Sequence, residues 1–313
     1  MIHIVINPTG ASGKTRRLWD KVETVFRESG QPYTVHFSDL ERGVEDICRE
    51  VTAADKETDL VVVGGDGTFN EALNGICRLA DVRLGLIPAG SGNDLARDLG
   101  IPTDGITAAR TILRGEVVRT TDVGEVAIRL PAGEGERKRR FLTGCGIGFD
   151  AEICDVVDHS RLKGALNRLR MGKLVYVLTA IRLIWQCRLQ TVEVQVEKEG
   201  ERATLASDHN LLLVFMNHRY EGGGFQFAPE ARDDDGALDL CIANPRSKWE
   251  FFPVFPLAYS GRHVKVGCVR VERAPSFAVR ATQPLWVHTD GEAVCRSQDI
   301  RVGVLPERLR LLV

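Results

Sequence analysis

A glycine-rich turn between an apolar strand and a helix is the strongest constraint in this sequence. Residues Leu60–Glu71 read LVVVGGDGTFNE, in which Gly64, Gly65 and Gly67 surround a single aspartate. Glycine lacks a Cβ atom, so the backbone N–H groups of such a turn can approach a ligand closely. The helix that follows directs its first N–H groups and the positive end of its dipole at the same place. The segment favours a phosphate site, although a plain tight turn has a similar composition.

Two further turns of this kind follow predicted strands. The fourth predicted strand leads into Pro88–Arg97, PAGSGNDLAR, where Asn93 or Asp94 can cap the next helix. The first strand leads into Asn7–Thr15, NPTGASGKT. Because parallel strands of an α/β sheet end at the same edge, we expect the three turns to converge there.

The order of the elements predicts two domains. Residues 1–122 alternate apolar strands with helical segments, which is typical of an α/β domain with a mostly parallel sheet. Strands dominate residues 123–305, apart from a mostly helical stretch at 151–188, and predict an antiparallel β domain. The tail, residues 306–313, is expected to return to the first domain. The first domain is predicted to contain strands 3–6, 33–38, 60–63 and 84–87 and helices 13–29, 41–53, 68–80, 92–99 and 104–114. The second is predicted to contain strands 122–130, 140–144, 191–198, 210–216, 238–243, 264–271, 277–281 and 285–288.

Composition narrows the functional class. A formal net charge of −2 gives no general attraction to nucleic acid. No apolar run approaches the roughly 18 residues of a membrane span, and the N-terminus reads as a strand and not as a signal peptide. The eight cysteines lack metal-binding spacing and are expected to be reduced thiols. These features predict a cytoplasmic protein.

Together, NPTGASGK, GGDGTFNE, PAGSGNDLAR and the downstream HTDGE (His288–Glu292) resemble the catalytic domain of the diacylglycerol kinase and lipid kinase family, which includes sphingosine and ceramide kinases. The resemblance spans nearly the whole chain. It implies a β-sandwich for the second domain and ATP- and Mg²⁺-dependent phosphorylation of a lipid hydroxyl, with diacylglycerol the leading acceptor. Phosphatidylglycerol or a sphingoid or ceramide lipid stays open as the acceptor. NAD kinases share the GGDGT element.

The resemblance also implies a set of nucleotide contacts. Asp66 would repel phosphate directly, so it is expected to act through Mg²⁺ or to bind a hydroxyl. Asp94 is expected either to cap its helix or to join the magnesium-binding network. The nucleotide-binding set is Asn7, Thr9, Ser38, Gly64, Gly65, Asp66, Gly67, Thr68, Phe69, Asn70, Ser91, Gly92 and Asn93.

Glu292 is the predicted general base, across a cleft from the triphosphate, because a carboxylate near the acceptor hydroxyl can take its proton. Asp290 is expected to orient the turn or the glutamate. A plain hairpin turn is the alternative, since Asp-Gly is a common hairpin signal. Asp122 falls where the family carries another active-site acid, and a solvated strand-end aspartate is the alternative there.

A second magnesium site is suggested by the acidic run Arg232–Asp239, RDDDGALD. The run lacks the closing glutamate of a calcium-binding loop. In the family, an aspartate and neighbouring carbonyls bind a structural Mg²⁺, and the matching residues are Asp235 with the carbonyls of Arg232 and Ala237. A solvated turn is the alternative.

Other nucleotide-binding motifs fail on spacing. Gly13-Lys14-Thr15 mimics the end of a P-loop, but the required earlier glycine is Pro8, which has no N–H to donate. A P-loop NTPase is therefore the weaker alternative. The run Gly144–Gly148, GCGIG, does not match the dinucleotide fingerprint.

Contact with a membrane surface is expected to be peripheral. Residues 161–174 combine basic and apolar residues in a pattern that fits either a helix on anionic lipid or a packed helix with a solvated face. Residues 249–259, WEFFPVFPLAY, could line the mouth of a lipid pocket or lie in the core. Whether the chain forms a homodimer stays open.

Overall fold

The computed structural model describes residues 1–54, 56–90, 92–115, 118–131, 134–158, 182–184, 186–198, 200–252 and 254–313. These residues form two compact units. Unit 1 comprises Met1–Asp122 and Pro306–Val313, and unit 2 comprises Val123–Leu305. Each unit contains its own β-sheet.

Unit 1 is built on a six-stranded sheet in the order β2-β1-β3-β4-β16-β5. Strands β1 to β4 and β16 are parallel, whereas β5 runs antiparallel to β16. The elements are β1 (Ile2–Ile6), α1 (Gly10–Ser29), β2 (Tyr33–Phe37), α2 (Val44–Thr52), β3 (Thr58–Gly64), α3 (Asp66–Gly75), β4 (Val82–Pro88), α4 (Asp94–Asp98), α5 (Gly105–Arg114), β5 (Val118–Thr121) and β16 (Leu309–Leu312).

The apolar runs that predicted the central strands are buried as expected for a parallel sheet covered on both faces. All residues of β3 and β4 are buried except Asp59 and Arg83. These two side chains lie opposite each other, and Arg83 Nε donates to Asp59 Oδ1 at 2.6 Å. The α/β class of the first part of the chain is thereby confirmed. The C-terminal strand β16 completes this sheet between β4 and β5.

Helix α3 differs from the helix predicted at 68–80, because tertiary packing sets its end. Gly75 lies so close to α2 that an added Cβ would stand 2.2 Å from the carbonyl oxygen of Glu45. The chain turns into an extended conformation at Ile76. The apolar residues beyond this point therefore do not continue the helix.

Unit 2 is an antiparallel β structure with short helices. The main path of its ten-stranded sheet is β13-β12-β11-β8-β14-β15-β6-β7, and β9 pairs with β14 and β10. The elements are β6 (Gly124–Arg129), β7 (Glu136–Phe141), β8 (Gly144–Gly148), α6 (Phe149–Asp158), β9 (Gln190–Lys198), β10 (Glu201–Asn210), β11 (Leu212–Met216), β12 (Leu238–Ala243), α7 (Lys248–Phe251), α8 (Val254–Ala258), β13 (Val269–Ala274), β14 (Ser276–Thr289) and β15 (Glu292–Val304).

The long strand β14 divides this sheet into two parts. Its first half, Ser276–Ala281, pairs with β9, and its end, Val287–Thr289, pairs with β8. Side chains from both parts meet in one buried core, which includes Ile128, Val194 and Phe215. A sheet that encloses its own apolar core in this way agrees with the sandwich-like domain predicted for this half.

One predicted strand of unit 2 is misplaced, and two observed strands, β10 and β15, have no predicted counterpart. The strand expected at 264–271 is a 3₁₀ turn at Arg262–Lys265, and β13 begins only at Val269. Strand β10 was not predicted, because its polar sequence ERATLASDHN lacks apolar alternation; it pairs with β9 alone. Of the helical stretch expected at 151–188, residues 159–181 and 185 lie outside the described residues, and with them the basic segment 161–174. No helix within the described ranges has both the length and the apolar character needed to cross a membrane.

Candidate active site

Three loops of unit 1 meet at one edge of the parallel sheet. Strands β1, β3 and β4 are neighbours, so Ile6, Gly64 and Pro88 bring the chain to the same carboxyl edge. The N–H of Ala89 donates to the carbonyl of Gly64 at 2.7 Å. The loops after β3 and β4 touch through their backbones. The convergence predicted from the three glycine-rich turns is confirmed.

The contact between the two loops requires glycine on both sides. A Cβ on Gly65 would stand 3.1 Å from the Cα atom of Gly90, and a Cβ on Gly90 would stand 2.9 Å from that of Gly65. Any other residue would push the loops apart. The glycines therefore leave backbone groups at the surface of the edge, where a phosphate chain can approach them.

Asp66 occupies the first turn of α3, directly after this contact. Its Oδ2 atom accepts from the N–H of Asp94 at 3.4 Å. It also lies 3.1 Å from the place that a Cβ on Gly92 would take. Since α3 has ten residues and begins at this point, its first N–H groups and its dipole favour an anion there.

Several side chains of the predicted nucleotide-binding set have structural partners. The Oδ1 atom of Asn7 accepts from the N–H and hydroxyl of Thr9 and from the N–H of Gly10, at 2.9–3.2 Å. Phe69 is 1% exposed and belongs to the core. The buried Asn70 accepts from Nδ2 of Asn74. These residues shape the loops, and Phe69 offers a ligand its backbone only.

The remaining members of the set are spread around the same edge. The N–H of Ser38, just after β2, donates to the carbonyl of Ile6 at 3.0 Å. Thr68 is buried, Thr9 is exposed at the start of α1, and Gly67 lies in the first turn of α3. Ser91 lies outside the described residues.

The residues at the start of α4 do not act as side-chain caps, contrary to the prediction for Asn93 or Asp94. Asn93 adopts a left-handed conformation with φ of 51°, and its Nδ2 atom donates to the carbonyl of Gly90 at 3.0 Å. Its Oδ1 atom is buried and has no hydrogen-bond partner among the described residues. A ligand with an N–H or O–H donor would satisfy this oxygen.

The chemistry of Asp66 and Asp94 suits a magnesium ion. The position of a Cβ on Gly92 would be 3.1 Å from Asp66 Oδ2 and 3.9 Å from Asp94 Oδ2, so both carboxylates lie beside one point. Carboxylate oxygens are the ligands that Mg²⁺ prefers. Asp94 also binds Arg97, whose Nη1 atom donates to Oδ1 at 2.6 Å.

The structure does not bring Asp122 to these loops. Its buried carboxylate accepts from Nε of Arg308 at 2.7 Å. Because β5 is antiparallel to β16, Asp122 follows the end of β5 that lies level with the first residues of β4. The phosphate loops lie at the opposite edge of the same sheet. In unit 1 Asp122 therefore pairs with Arg308 away from the phosphate loops, and its role as an active-site acid stays a prediction.

Asp235, the centre of the predicted structural magnesium site, has protein partners on both carboxylate oxygens. Oδ1 of Asp235 accepts from the N–H of Ala237 at 3.1 Å, and Oδ2 contacts the guanidinium of Arg273. Arg232 binds Asp234. Arg273 thus pairs with the carboxylate that the predicted metal would use, and the magnesium site at Asp235 stays a prediction.

In unit 2, the motif HTDGE forms the tip of the β14–β15 hairpin. Asp290 and Gly291 have φ of 50° and 83° and form a two-residue turn. The carboxylate of Asp290 accepts from the N–H groups of Leu142, Thr143 and Gly144 at 2.7–3.1 Å. The expectation that Asp290 orients the turn is confirmed.

Glu292 directly follows this turn. It is the first residue of β15, lies opposite Thr289, and is exposed in the structure. Because the preceding Asp290 is held by three hydrogen bonds, the glutamate extends from a fixed backbone position. Neither its exposure nor its place at a hairpin distinguishes a base from an ordinary strand residue.

Sequence reasoning missed a buried ionisable cluster next to the turn. His288 is fully buried, and Asp150 and Glu221 face its two ring nitrogens. Burial alone would lower the pKa of His288, but the carboxylates of Glu221 and Asp150 raise it to about 9. In the described part of the chain, this is the group whose three metal-type ligand atoms lie within 4.8 Å of one another. The three residues are far apart in sequence, so no motif spacing could have found them.

A narrow cavity of about 20 Å³ lies in unit 2, beside this cluster. Asp150 forms part of its wall, and most of the rest is apolar, with Phe149, Ile153, Phe225, Phe227, Phe251 and Val254. Residues 249–259 thus contribute partly to this wall. Trp249 and Phe252 of the same segment are 67% and 47% exposed.

Comparison with known proteins agrees with this geometry. Residues 1–126 match the model of the diacylglycerol kinase catalytic domain, and residues 144–313 match the YegS C-terminal NAD kinase beta sandwich-like domain. The chain is 30% identical over 293 residues to a diacylglycerol kinase of Bacillus subtilis (strain 168), which covers 92% of this chain and 88% of the relative.

Solved structures show the same fold. The crystal structure of a diacylglycerol kinase from Bacillus anthracis str. Sterne superposes with a TM-score of 0.66 at 20% identity, over 99% of this chain and 96% of the other. Yeast NADH kinase complexed with NADH gives a TM-score of 0.52 at 12% identity, over 99% of this chain and 83% of the other.

Proposed function

The chain belongs to the diacylglycerol kinase family, and from this premise we propose that it transfers the γ-phosphoryl group of ATP, with Mg²⁺, to the hydroxyl of diacylglycerol, giving phosphatidic acid. The proposal that ATP is the phosphoryl donor rests on the contact between Gly65 and Gly90, with Asp66 beside it. Phosphoryl transfer needs positioning and charge neutralisation more than covalent chemistry. Both are available at this edge.

The proposed ATP site uses the converging loops of unit 1. The backbone from Gly64 to Thr68 and the start of α3 would hold the phosphates. Asn93 Oδ1 would accept a hydrogen bond from the nucleotide, which gives this buried acceptor the partner it lacks among the described residues. Asp66 and Asp94 would hold Mg²⁺, which neutralises charge that develops on the phosphate oxygens when it is bound.

Unit 2 supplies the proposed general base. Glu292 would accept the proton of the acceptor hydroxyl as the new O–P bond forms. Asp290 fixes the turn through three backbone N–H groups, so its carboxylate is already committed to structure. This division assigns proton transfer to Glu292 and orientation to Asp290.

The apolar cavity of unit 2 supports a lipid acceptor. Asp150 lies in its wall and also binds His288, two residues before Asp290, so the cavity lies next to the hairpin that carries Glu292. A void of about 20 Å³ is too small for an acyl chain. Side chains of the wall, which include Phe225 and Phe251, must move to admit one.

The acceptor is tested by incubating the pure protein with γ-labelled ATP, Mg²⁺ and an equimolar mixture of diacylglycerol, phosphatidylglycerol, ceramide and sphingosine. We expect most of the label in phosphatidic acid. Label in another lipid would contradict diacylglycerol as the acceptor but would keep the protein a lipid kinase. Label in NAD offered in a parallel reaction, with none in lipid, would overturn the lipid assignment.

We also propose that the exposed aromatic residues beside the cavity enter the membrane surface. Aromatic side chains favour the interface between water and lipid. Trp249→Ala is expected to weaken binding to vesicles of phosphatidylcholine with diacylglycerol by about tenfold, because roughly 1.4 kcal/mol of apolar burial is lost. Vesicle sedimentation measures this. Leu40→Ala is the control, since Leu40 is an exposed apolar residue of unit 1. Equal binding of the wild type and Trp249→Ala would contradict the proposal.

A further inference from the structure

The β-ladder alone does not fix the turn that carries Glu292. Strands β14 and β15 keep one register from the Leu285–Ser297 pair to the Val287–Cys295 pair, and then shift by one residue so that His288 faces Ala293. A bulge of this kind interrupts the ladder and re-aims the end of the hairpin. Pairing with β8 and contacts with other segments therefore set the position of the last residues before the turn.

His288 makes these contacts from a fully buried position. Its Nε2 atom lies 2.6 Å from Oδ2 of Asp150, near the start of α6. Its Nδ1 atom accepts from the N–H of Gly291 at 3.2 Å and lies 3.7 Å from Oε1 of Glu221, in the segment after β11. One imidazole thus joins α6, the segment after β11 and the turn.

Two glycines of β8 leave space for this arrangement. A Cβ on Gly146 would stand 2.1 Å from His288 Nε2 and 2.7 Å from Asp150 Oδ2. A Cβ on Gly144 would stand 2.9 Å from Oε2 of Glu221. The GCGIG run, which matches no nucleotide fingerprint, is therefore explained by the side chains that it accommodates.

The charges around the ring favour its cationic form. Asp150 from α6, Glu221 from the segment after β11 and Asp290 from the turn face the imidazole, and the buried thiol of Cys145 lies on the neighbouring β8. The pKa of His288, lowered by burial but raised further by these carboxylates, is about 9. The cationic ring attracts Glu221 at 3.7 Å, which is longer than a hydrogen bond, whereas the neutral ring accepts the N–H of Gly291 at Nδ1.

We propose that His288 is a positioning residue for phosphoryl transfer: by bridging Asp150 and Glu221 it fixes the end of β14 and thereby the orientation of Glu292. It acts through Glu292 and touches neither nucleotide nor acceptor. The inference rests on the proposed function, in which Glu292 is the general base. Without the cation, the carboxylates that surround the ring repel one another and no longer hold the strand end.

His288→Gln tests this role, because glutamine keeps a donor but cannot carry the charge. We expect kcat to fall about tenfold or more with the KM for ATP changed less than about twofold, since the nucleotide loops are untouched. His218→Gln is the matched control. His218 is also buried in unit 2, and its Nε2 atom faces a different carboxylate, Oδ2 of Asp233, at 3.8 Å. An equal loss of kcat in the control would contradict a specific role for His288.

The pH dependence gives a second readout. The wild-type kcat is expected to fall as pH rises through about 9, where the cation is lost, and His288→Gln should lack this limb. Stability follows the same sign: a raised pKa stabilises the folded state fully below the unperturbed value of 6.5 and loses this contribution as pH rises through about 9. The difference in Tm between wild type and variant should therefore shrink across that window. A difference that does not change with pH would overturn the cationic bridge.

The double variant separates this inference from the function on which it rests. In the background of Glu292→Gln, His288→Gln should lower kcat by less than about twofold, because residues that act through one another are not additive. A full additional loss would overturn the positioning role. Wild-type activity of Glu292→Gln alone would instead refute the proposed base. If His288→Gln does not fold, Asp150→Asn removes one side of the bridge and is measured in the same cycle.

Discussion

Replacement of Glu292 by glutamine is expected to lower kcat by about 10²–10⁴-fold, the range over which a positioned general base contributes. Glutamine has nearly the same shape but cannot accept a proton. The KM for ATP should change by less than about twofold, because the loss concerns an interaction made in the transition state. Glu292 is exposed at the start of β15, so the variant should fold normally. Initial rates with labelled ATP and diacylglycerol measure both constants.

The matched control is Glu201→Gln. Glu201 is likewise an exposed glutamate at the first position of a unit 2 strand, here the edge strand β10. It has no proposed role and should retain wild-type kcat. A fall of less than about tenfold in Glu292→Gln would be too small for a general base and would assign proton transfer to another group.

The parts of the fold that could be read from sequence are those governed by local rules. The apolar runs before Gly64 and Pro88 are buried parallel strands, and the glycines after them make the loop contact that their spacing suggested. The Asp290-Gly291 pair forms the hairpin turn, as this dipeptide commonly does. In each case the residues that decide the structure are neighbours in the chain.

Features that depend on pairing between strands far apart in the sequence could not be predicted from local patterns. The position of Asp122 follows from the antiparallel direction of β5, which no local pattern specifies. The cluster of Asp150, Glu221 and His288 exists only because β8 and β14 pair so that Gly146 faces His288. From the sequence alone, Asp150 is one acid at a helix start, Glu221 is one acid in a loop, and His288 is a structural histidine.

The sequence predicted the end of helix α3 wrongly and missed the polar edge strand β10 for a similar reason. Helix α3 ends where Gly75 meets α2, and the apolar residues that follow contribute to packing instead. Strand β10 is held by its hydrogen bonds to β9 in spite of a polar sequence. Tertiary contacts override local propensity at such positions.

Asp66→Asn is expected to lower kcat/KM for MgATP by about 10²–10³-fold, which corresponds to roughly 3–4 kcal/mol of lost transition-state stabilisation. Asparagine keeps an oxygen that can accept the N–H of Asp94, so the contact between the two loops should persist. What is lost is the negative charge that we propose holds Mg²⁺. The variant should therefore fail through the metal and not through the loop.

Binding measurements distinguish these two causes, because the carboxylate of Asp66 has opposite effects on the ion and on the phosphates. With EDTA present, ATP should bind Asp66→Asn at least as tightly as it binds the wild type, since a nearby negative charge has been removed. With Mg²⁺ present, the wild type should gain affinity and the variant should gain little. Asp46→Asn is the control: Asp46 lies in the first turn of α2, as Asp66 does in α3, and it bonds the N–H of Gly43. Weaker binding of ATP by Asp66→Asn in EDTA would show that Asp66 supports the loop itself, and the magnesium role would then pass to Asp94 or be abandoned.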